Sequence, residues 1–206
     1  EVTDHLSGVS LAAKVAVRED TLLDLDAERR ILEQLAHPNI LRAYVFVASR
    51  HHAAPLLELA QTDLFLWLTL PCNRLIDSST DGLLKFLCQL VSAMMHLHNN
   101  KVLHLDIKTN NVLVFASPIS GKTFASQLRP PWVKVADFGL SQAVANDSLE
   151  VVPKAAFTFH FRAPELPLAD TSRLKVSYPS DGYALGCGAY DIFKNSAAGP
   201  MLVTNK

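Results

Sequence analysis

The spacing of apolar positions changes along the chain, and the changes separate a strand-rich first part from a helix-rich remainder. Residues 9–17 are apolar apart from Ser10 and Lys14, with the length and β-branched content of a buried strand. Lys14 then stands where an unpaired charge is costly. Residues 21–35 shift to a helical period: Leu25, Leu32 and Leu35 share a stripe, and Glu28 falls inside it. A carboxylate therefore faces inward as well. His37-Pro38-Asn39 ends this helix, because the residue before proline avoids helical backbone. Residues 41–47 and 55–59 read as two further strands. Beyond a polar cluster at 77–80, suited to capping, Leu83, Leu84, Leu87, Leu90, Val91 and Met94 recur at helical spacing. Short strands are expected at 112–115 and 132–135, separated by a Ser-, Pro- and Gly-rich surface loop at 117–131. Ser180-Asp181 reads as the cap of another apolar helix that runs to about residue 193. The tail from Asn195 has no clear period, and there is no internal repeat.

Composition narrows the picture. A chain of 206 residues can bury one substantial core, divided over two lobes that join near residues 60–63 without a flexible linker. Lys and Arg total 19 against 20 Asp and Glu, and no basic block stands out, so neither nucleic acid nor a membrane surface is the expected partner. The richest apolar stretch, 55–71, is broken by Glu58 and Asp63, which argues against a membrane-spanning helix. Cys72, Cys88 and Cys187 lie far apart and suit a reducing compartment, and the first residues do not resemble a signal peptide. An intracellular, cytoplasmic location is the expectation, with the nucleus open.

The chemistry concentrates in three motifs. His104-Leu105-Asp106-Ile107-Lys108-Thr109-Asn110-Asn111 places metal-binding oxygens and a cation between a helix and a strand; Asp137-Phe138-Gly139 follows 26 residues after Asn111; Ala163-Pro164-Glu165 comes later. In this order the three resemble the signature set of the protein kinase family: a strand lysine, a helix glutamate, an H-R-D-x-K-x-x-N loop, D-F-G and A-P-E.

The resemblance implies an α+β, two-lobed fold. It places a small antiparallel β-rich N-lobe at residues 1–60 and a mainly helical C-lobe at 61–206, within a single partial kinase domain spanning 1–206. It implies a serine/threonine protein kinase using ATP and Mg²⁺ on a protein substrate. Asp106 would orient the acceptor hydroxyl and take its proton, and Asn111 and Asp137 would hold Mg²⁺. Lys108 would approach the transferred phosphate, with Thr158 beside it; both favour Ser/Thr acceptors. Two positions, Lys14 and Arg18, fit the strand lysine. The family places its helix glutamate nine residues before the histidine of H-P-N, which gives Glu28, and the usual lysine interval then selects Lys14. Ala12 would lie above the adenine ring and Leu113 beneath it, with the backbone of Glu58 and Ala60 at the hinge, Asp63 at the ribose and Leu57 as gatekeeper. His104 and Phe138 would stack with Leu32, and Asp181 would anchor the catalytic loop from below as well as cap its helix.

The sequence departs from the pattern in four places. Leu105 replaces the arginine that pairs with a phosphorylated activation loop, so activation by that route is not expected, although Ser141, Ser148 and Thr158 are available hydroxyls. The glycine-rich loop and the later C-lobe helices fall outside the chain, which reads as incomplete at both ends, with weak or no activity expected of it alone. The 117–131 segment reads as an insertion. Two alternatives stand beside the enzyme: a pseudokinase-like nucleotide-binding or scaffold module, motivated by Leu105, and a small-molecule phosphotransferase, against which Ala163-Pro164-Glu165 argues. Neither the substrate nor any regulatory partner is identified.

Overall fold

The computed structural model describes residues 1–3, 8–15, 19–48, 53–69, 80–115, 132–144, 150–151, 158–166 and 175–198. The expected loop at 117–131, the polar cluster at 77–79, Arg18 and Ser148 lie outside them. The architecture is α+β with antiparallel sheets. The first sheet runs β1-β2-β4-β3, built from β1 (Val2–Thr3), β2 (Ser10–Ala13), β3 (Ala43–Ala48) and β4 (Ala53–Glu58). Central β4 pairs Leu57 with Ala12 on one side and with Ala43 on the other. The Lys14 amide donates to the Pro55 carbonyl at 3.3 Å, which carries the β2–β4 pairing one residue further and sets Lys14 at the sheet's end.

Helix α1 (Glu19–Leu32) buries Leu25, Ile31 and Leu32, the last two in one cluster with Ala43 and Phe46 of β3, and Glu28 is buried as well. Residues 59–61 then cross to a second sheet, where β5 (Thr62–Asp63) pairs with β7 (Val112–Phe115), which pairs with β8 (Trp132–Val135). The alternation in β8 buries Val133 and Val135. Helices α2 (Leu64–Thr69), α3 (Thr80–Asn99) and α4 (Tyr178–Ala198) surround this sheet. A parallel bridge between Ile40 and Val135, with Leu41 N–H to Val135 O at 2.9 Å and Val135 N–H to Asn39 O at 2.8 Å, joins the first part to β8.

Two expectations shift. The face of α3 that enters the core carries Phe86, Leu90, Ala93, Met94 and Leu97, whereas Leu84 and Val91 are exposed. The helix is apolar on more than one side, so period alone could not choose the face; Phe86 and Leu97 fill the volume beneath β8. Helix α4 starts at Tyr178 rather than at a Ser180-Asp181 cap. Ser177 precedes it, and the Ser180 hydroxyl accepts from the Ser177 amide at 3.4 Å, half of a capping box, with Pro179 in the first turn where a missing N–H costs nothing. Asp181 is thereby released from capping.

Candidate active site

The loop that carries Asp106 follows β6 (Val102–Leu103), which pairs with β9 (Gln142–Ala143) just beyond Asp137-Phe138-Gly139. Two residues here adopt left-handed backbone, Leu105 at φ 68° and Asp137 at φ 63°. For non-glycine residues each costs about 1 kcal/mol or more and persists only when surroundings impose it. At Leu105 the imposing group is Asp181 on α4, only 1% exposed: one carboxylate oxygen accepts the His104 N–H at 2.8 Å and the other the Leu105 N–H at 2.9 Å. His98 Nε2 adds a contact at 3.1 Å to the same carboxylate. The Leu105 side chain is buried with Leu103, Val144, Ala163 and Leu166.

His104 is fully buried. Its Nδ1 accepts the Asp106 N–H at 3.3 Å and its Nε2–H donates to the Ala136 carbonyl at 3.1 Å, the neutral tautomer that satisfies both nitrogens. Burial pushes its pKa below the ordinary histidine value, outweighing the opposing charge of Asp181. Its ring stands 4.9 Å from that of Phe138, which shares a core cluster with Leu32.

Asp106 therefore emerges from a rigid base, and its carboxylate gathers three partners. Lys108 Nζ lies 2.7 Å from Oδ2, the Thr158 hydroxyl donates to Oδ1 at 3.0 Å, and Lys108 Nζ reaches Thr158 Oγ1 at 3.1 Å. The Asn111 amide nitrogen donates to Asp106 Oδ2 and to its backbone carbonyl, both at 2.8 Å. The short helical turn Thr109–Asn111 aims this side chain back, and the Asn111 carbonyl accepts the Ala136 N–H at 2.8 Å, which draws the Asp137 strand end alongside.

Lys14, Glu28 and Asp137 form the second group. Lys14 Nζ lies 2.8 Å from Glu28 Oε2 and 2.8 Å from Asp137 Oδ1, and Glu28 Oε1 accepts the Phe138 N–H at 3.3 Å. Only the glutamate is deeply buried: its side chain is 4% exposed, against 43% for Lys14. The expectation of a buried lysine is corrected, because β2 ends at Ala13 and the ammonium reaches from the end of that strand into an open cleft. Burial disfavours charge on Lys14, but Glu28 and Asp137 outweigh it and hold its pKa above the ordinary value. Burial likewise works against the Asp137 carboxylate, and the hydrogen bond and charge of Lys14 overcome it, leaving that pKa lowered.

The second group and Asn111 of the first open onto one cavity of about 290 Å³, lined by Lys14, Glu28, Leu57, Asn111, Leu113 and Asp137 among others, whereas Asp106 and Thr158 line a separate pocket with Leu105, Phe161 and Arg162. Ala12 packs with Leu57 and Leu113 in the small cluster beside it. Glu58, Ala60 and Asp63 are not among the lining residues. Asp63 Oδ1 accepts the Leu66 N–H at 2.9 Å and so caps α2. Two contributors escaped the sequence reading. His98 lies in the last turn of α3, and Lys134, inside β8, meets Glu58 at 2.6 Å. The alternation of β8, which turns Lys134 away from the buried valines, was the available signal.

The donor set suits a hard cation. With its amide nitrogen committed to Asp106, Asn111 offers a carbonyl oxygen, and Asp137 offers a carboxylate. Among the described residues no group of three His, Cys, Asp or Glu could hold a metal unaided. One carboxylate and an amide oxygen completed by phosphate oxygens is the way Mg²⁺ is commonly held. Among the described residues no helix is long and apolar enough to cross a membrane.

The protein kinase domain family matches residues 2–200. The chain is also 30% identical over 173 residues to cyclin-dependent kinase 8 of Caenorhabditis elegans, an alignment covering 78% of this chain and 27% of that protein. It thus spans about a quarter of the curated relative it matches.

Proposed function

Because the chain belongs to the protein kinase domain family, we propose that it transfers the γ-phosphate of ATP to a serine or threonine hydroxyl of a protein substrate. The observation that carries this reading is the triangle of Asp106, Lys108 and Thr158, closed at 2.7, 3.0 and 3.1 Å. An acceptor hydroxyl entering beside Thr158 meets a carboxylate that can orient it and take its proton. Lys108 offers positive charge to the phosphoryl group as charge spreads over its oxygens. Lys14, steadied by Glu28, is the cation for the α and β phosphates. Asn111 and Asp137 would hold Mg²⁺, which supplies charge neutralisation between the phosphates. Ala12, Leu57 and Leu113 provide apolar walls for the adenine, with backbone at Glu58 and Ala60 for its polar edge and Asp63 near the ribose.

In this reading residues 1–60 and 61–206 are two lobes facing each other across the cavity. The whole protein's substrates and any regulatory partner, such as the cyclin in the relative's name, belong to the proposal too.

The test is phosphate transfer from radiolabelled ATP with Mg²⁺ to generic Ser/Thr peptides, by the full-length protein. Asp106→Asn is expected to lower kcat by about 10² to 10⁴ while ATP still binds. Nucleotide binding without transfer by the wild type would overturn the enzyme reading in favour of a scaffold module.

A further inference from the structure

We infer that Lys134 is a positioning residue: its ion pair with Glu58 locks the segment at 58–60 to β8, the strand that leads into Asp137, and so sets nucleotide affinity. The inference rests on the kinase reading above for its link to ATP, though not for the locking itself.

Lys134 sits in β8 on the side opposite Val133 and Val135, with Leu113 as its register partner on β7. Its ammonium meets both carboxylate oxygens of Glu58 at 2.6 Å and stands 5.3 Å from the centre of the Phe115 ring. Glu58 is the last residue of β4. Its carboxylate also accepts the Arg42 N–H at 3.2 Å, and its own N–H donates to the Arg42 carbonyl at 3.2 Å. The chain then leaves the first sheet at once and is next held where the Gln61 N–H meets Val114 O at 3.0 Å.

The ion pair consequently joins β4, which carries Leu57, to β8, which runs on through Ala136 to Asp137, while β7 with Leu113 is held to β8 by its own ladder. The side chains are only 17% exposed for Glu58 and 13% for Lys134. Exposed pairs contribute little, but removing one member of a largely dehydrated pair leaves the other charge stranded. The freed Glu58 would turn toward water, and the backbone beside it would lose its tie to β8. Fewer molecules would then hold 58–60 in the binding geometry, and apparent affinity falls by that fraction.

The experiment compares Lys134→Met, Lys134→Arg and Glu58→Gln with the wild type in the full-length protein. It measures KM for ATP, kcat, and amide hydrogen exchange at 59–61. Lys134→Met is expected to raise KM about fivefold with kcat changed less than twofold. Exchange at 59–61 should quicken, and Lys134→Arg should restore both. Unchanged KM and exchange in folded Lys134→Met would overturn the inference. If that variant does not fold, Glu58→Gln decides by the same two measurements. Should the wild type neither bind nor use ATP, the kinase reading fails separately; hydrogen exchange still judges the locking, faster exchange supporting it and unchanged exchange overturning it.

Discussion

At Leu105 two unfavourable features coincide: left-handed backbone at a branched residue, and an apolar side chain at the position where the resemblance leads one to expect a cation. The structure accounts for both. Asp181 takes the Leu105 amide, and the side chain, 6% exposed, fills a cluster with Leu103, Val144, Ala163 and Leu166. The Asp106 loop is thus joined to the Ala163-Pro164-Glu165 segment by apolar contact rather than by a guanidinium and a phosphate. Leu105→Arg should destabilise the protein by about 3 kcal/mol or more, since an unpaired charge would enter that cluster. Leu105→Met, which conserves volume, should cost less than about 1.5 kcal/mol. Urea unfolding compares the two, and equal losses would contradict the packing argument. The replacement was legible in the sequence; its burial was not, because the cluster, which Val176 completes, draws on four separated segments.

The elements were largely legible, and their faces less so. Strands 112–115 and 132–135 appear as expected, because local pattern and pairing agree. Helix α3 exists as expected but turns Leu84 and Val91 outward. Helix α4 begins two residues ahead of Ser180, and this register puts Asp181 under the His104-Leu105 backbone instead of over its own helix end. Asp181→Ala should therefore cost about 3–5 kcal/mol, because two buried N–H groups and His98 lose their acceptor. Ser180→Ala should cost about 1 kcal/mol or less, as its contact to Ser177 is long. Chemical denaturation of both variants checks the ranking; a small loss at Asp181 would mean that water replaces it.

For the molecule as a whole, His37 helps tie the first part to α3. Its Nδ1 accepts the Asn39 N–H at 3.0 Å, its Nε2 lies 3.0 Å from Ser92 Oγ, and its ring stands 5.1 Å from that of His96. Both nitrogens are engaged in the neutral form, so protonating Nδ1 would set it against the Asn39 N–H. Burial, and then the charge of His96, lower the His37 pKa. The unfolded chain thus binds this proton more readily than the folded one. The contribution to stability is complete above the unfolded value of about 6.5 and is lost as pH falls through it toward the depressed folded value. Thermal unfolding between pH 7.5 and 5 should show a falling Tm, with a shallower fall in His37→Gln. An unchanged slope would remove His37 from the account.

By itself the sequence determined roughly where the longer strands and helices fall, though not helix α2 or the two-residue strands, because those preferences act over a few residues. It also carried the order and spacing of the motifs that mark the family. Through the family resemblance it brought Lys14 and Glu28 forward as a pair, and their 2.8 Å contact is seen in the structure. Tertiary structure alone decided that Asp106 would be enclosed by Lys108, Thr158 and Asn111, that Asp181 would serve the loop rather than its own helix, and that Glu58 would meet Lys134 across 76 residues. These contacts depend on which strands pair and how far each helix is rotated. Such choices are settled by filling the core and satisfying buried polar groups together, and no local window of the chain contains them.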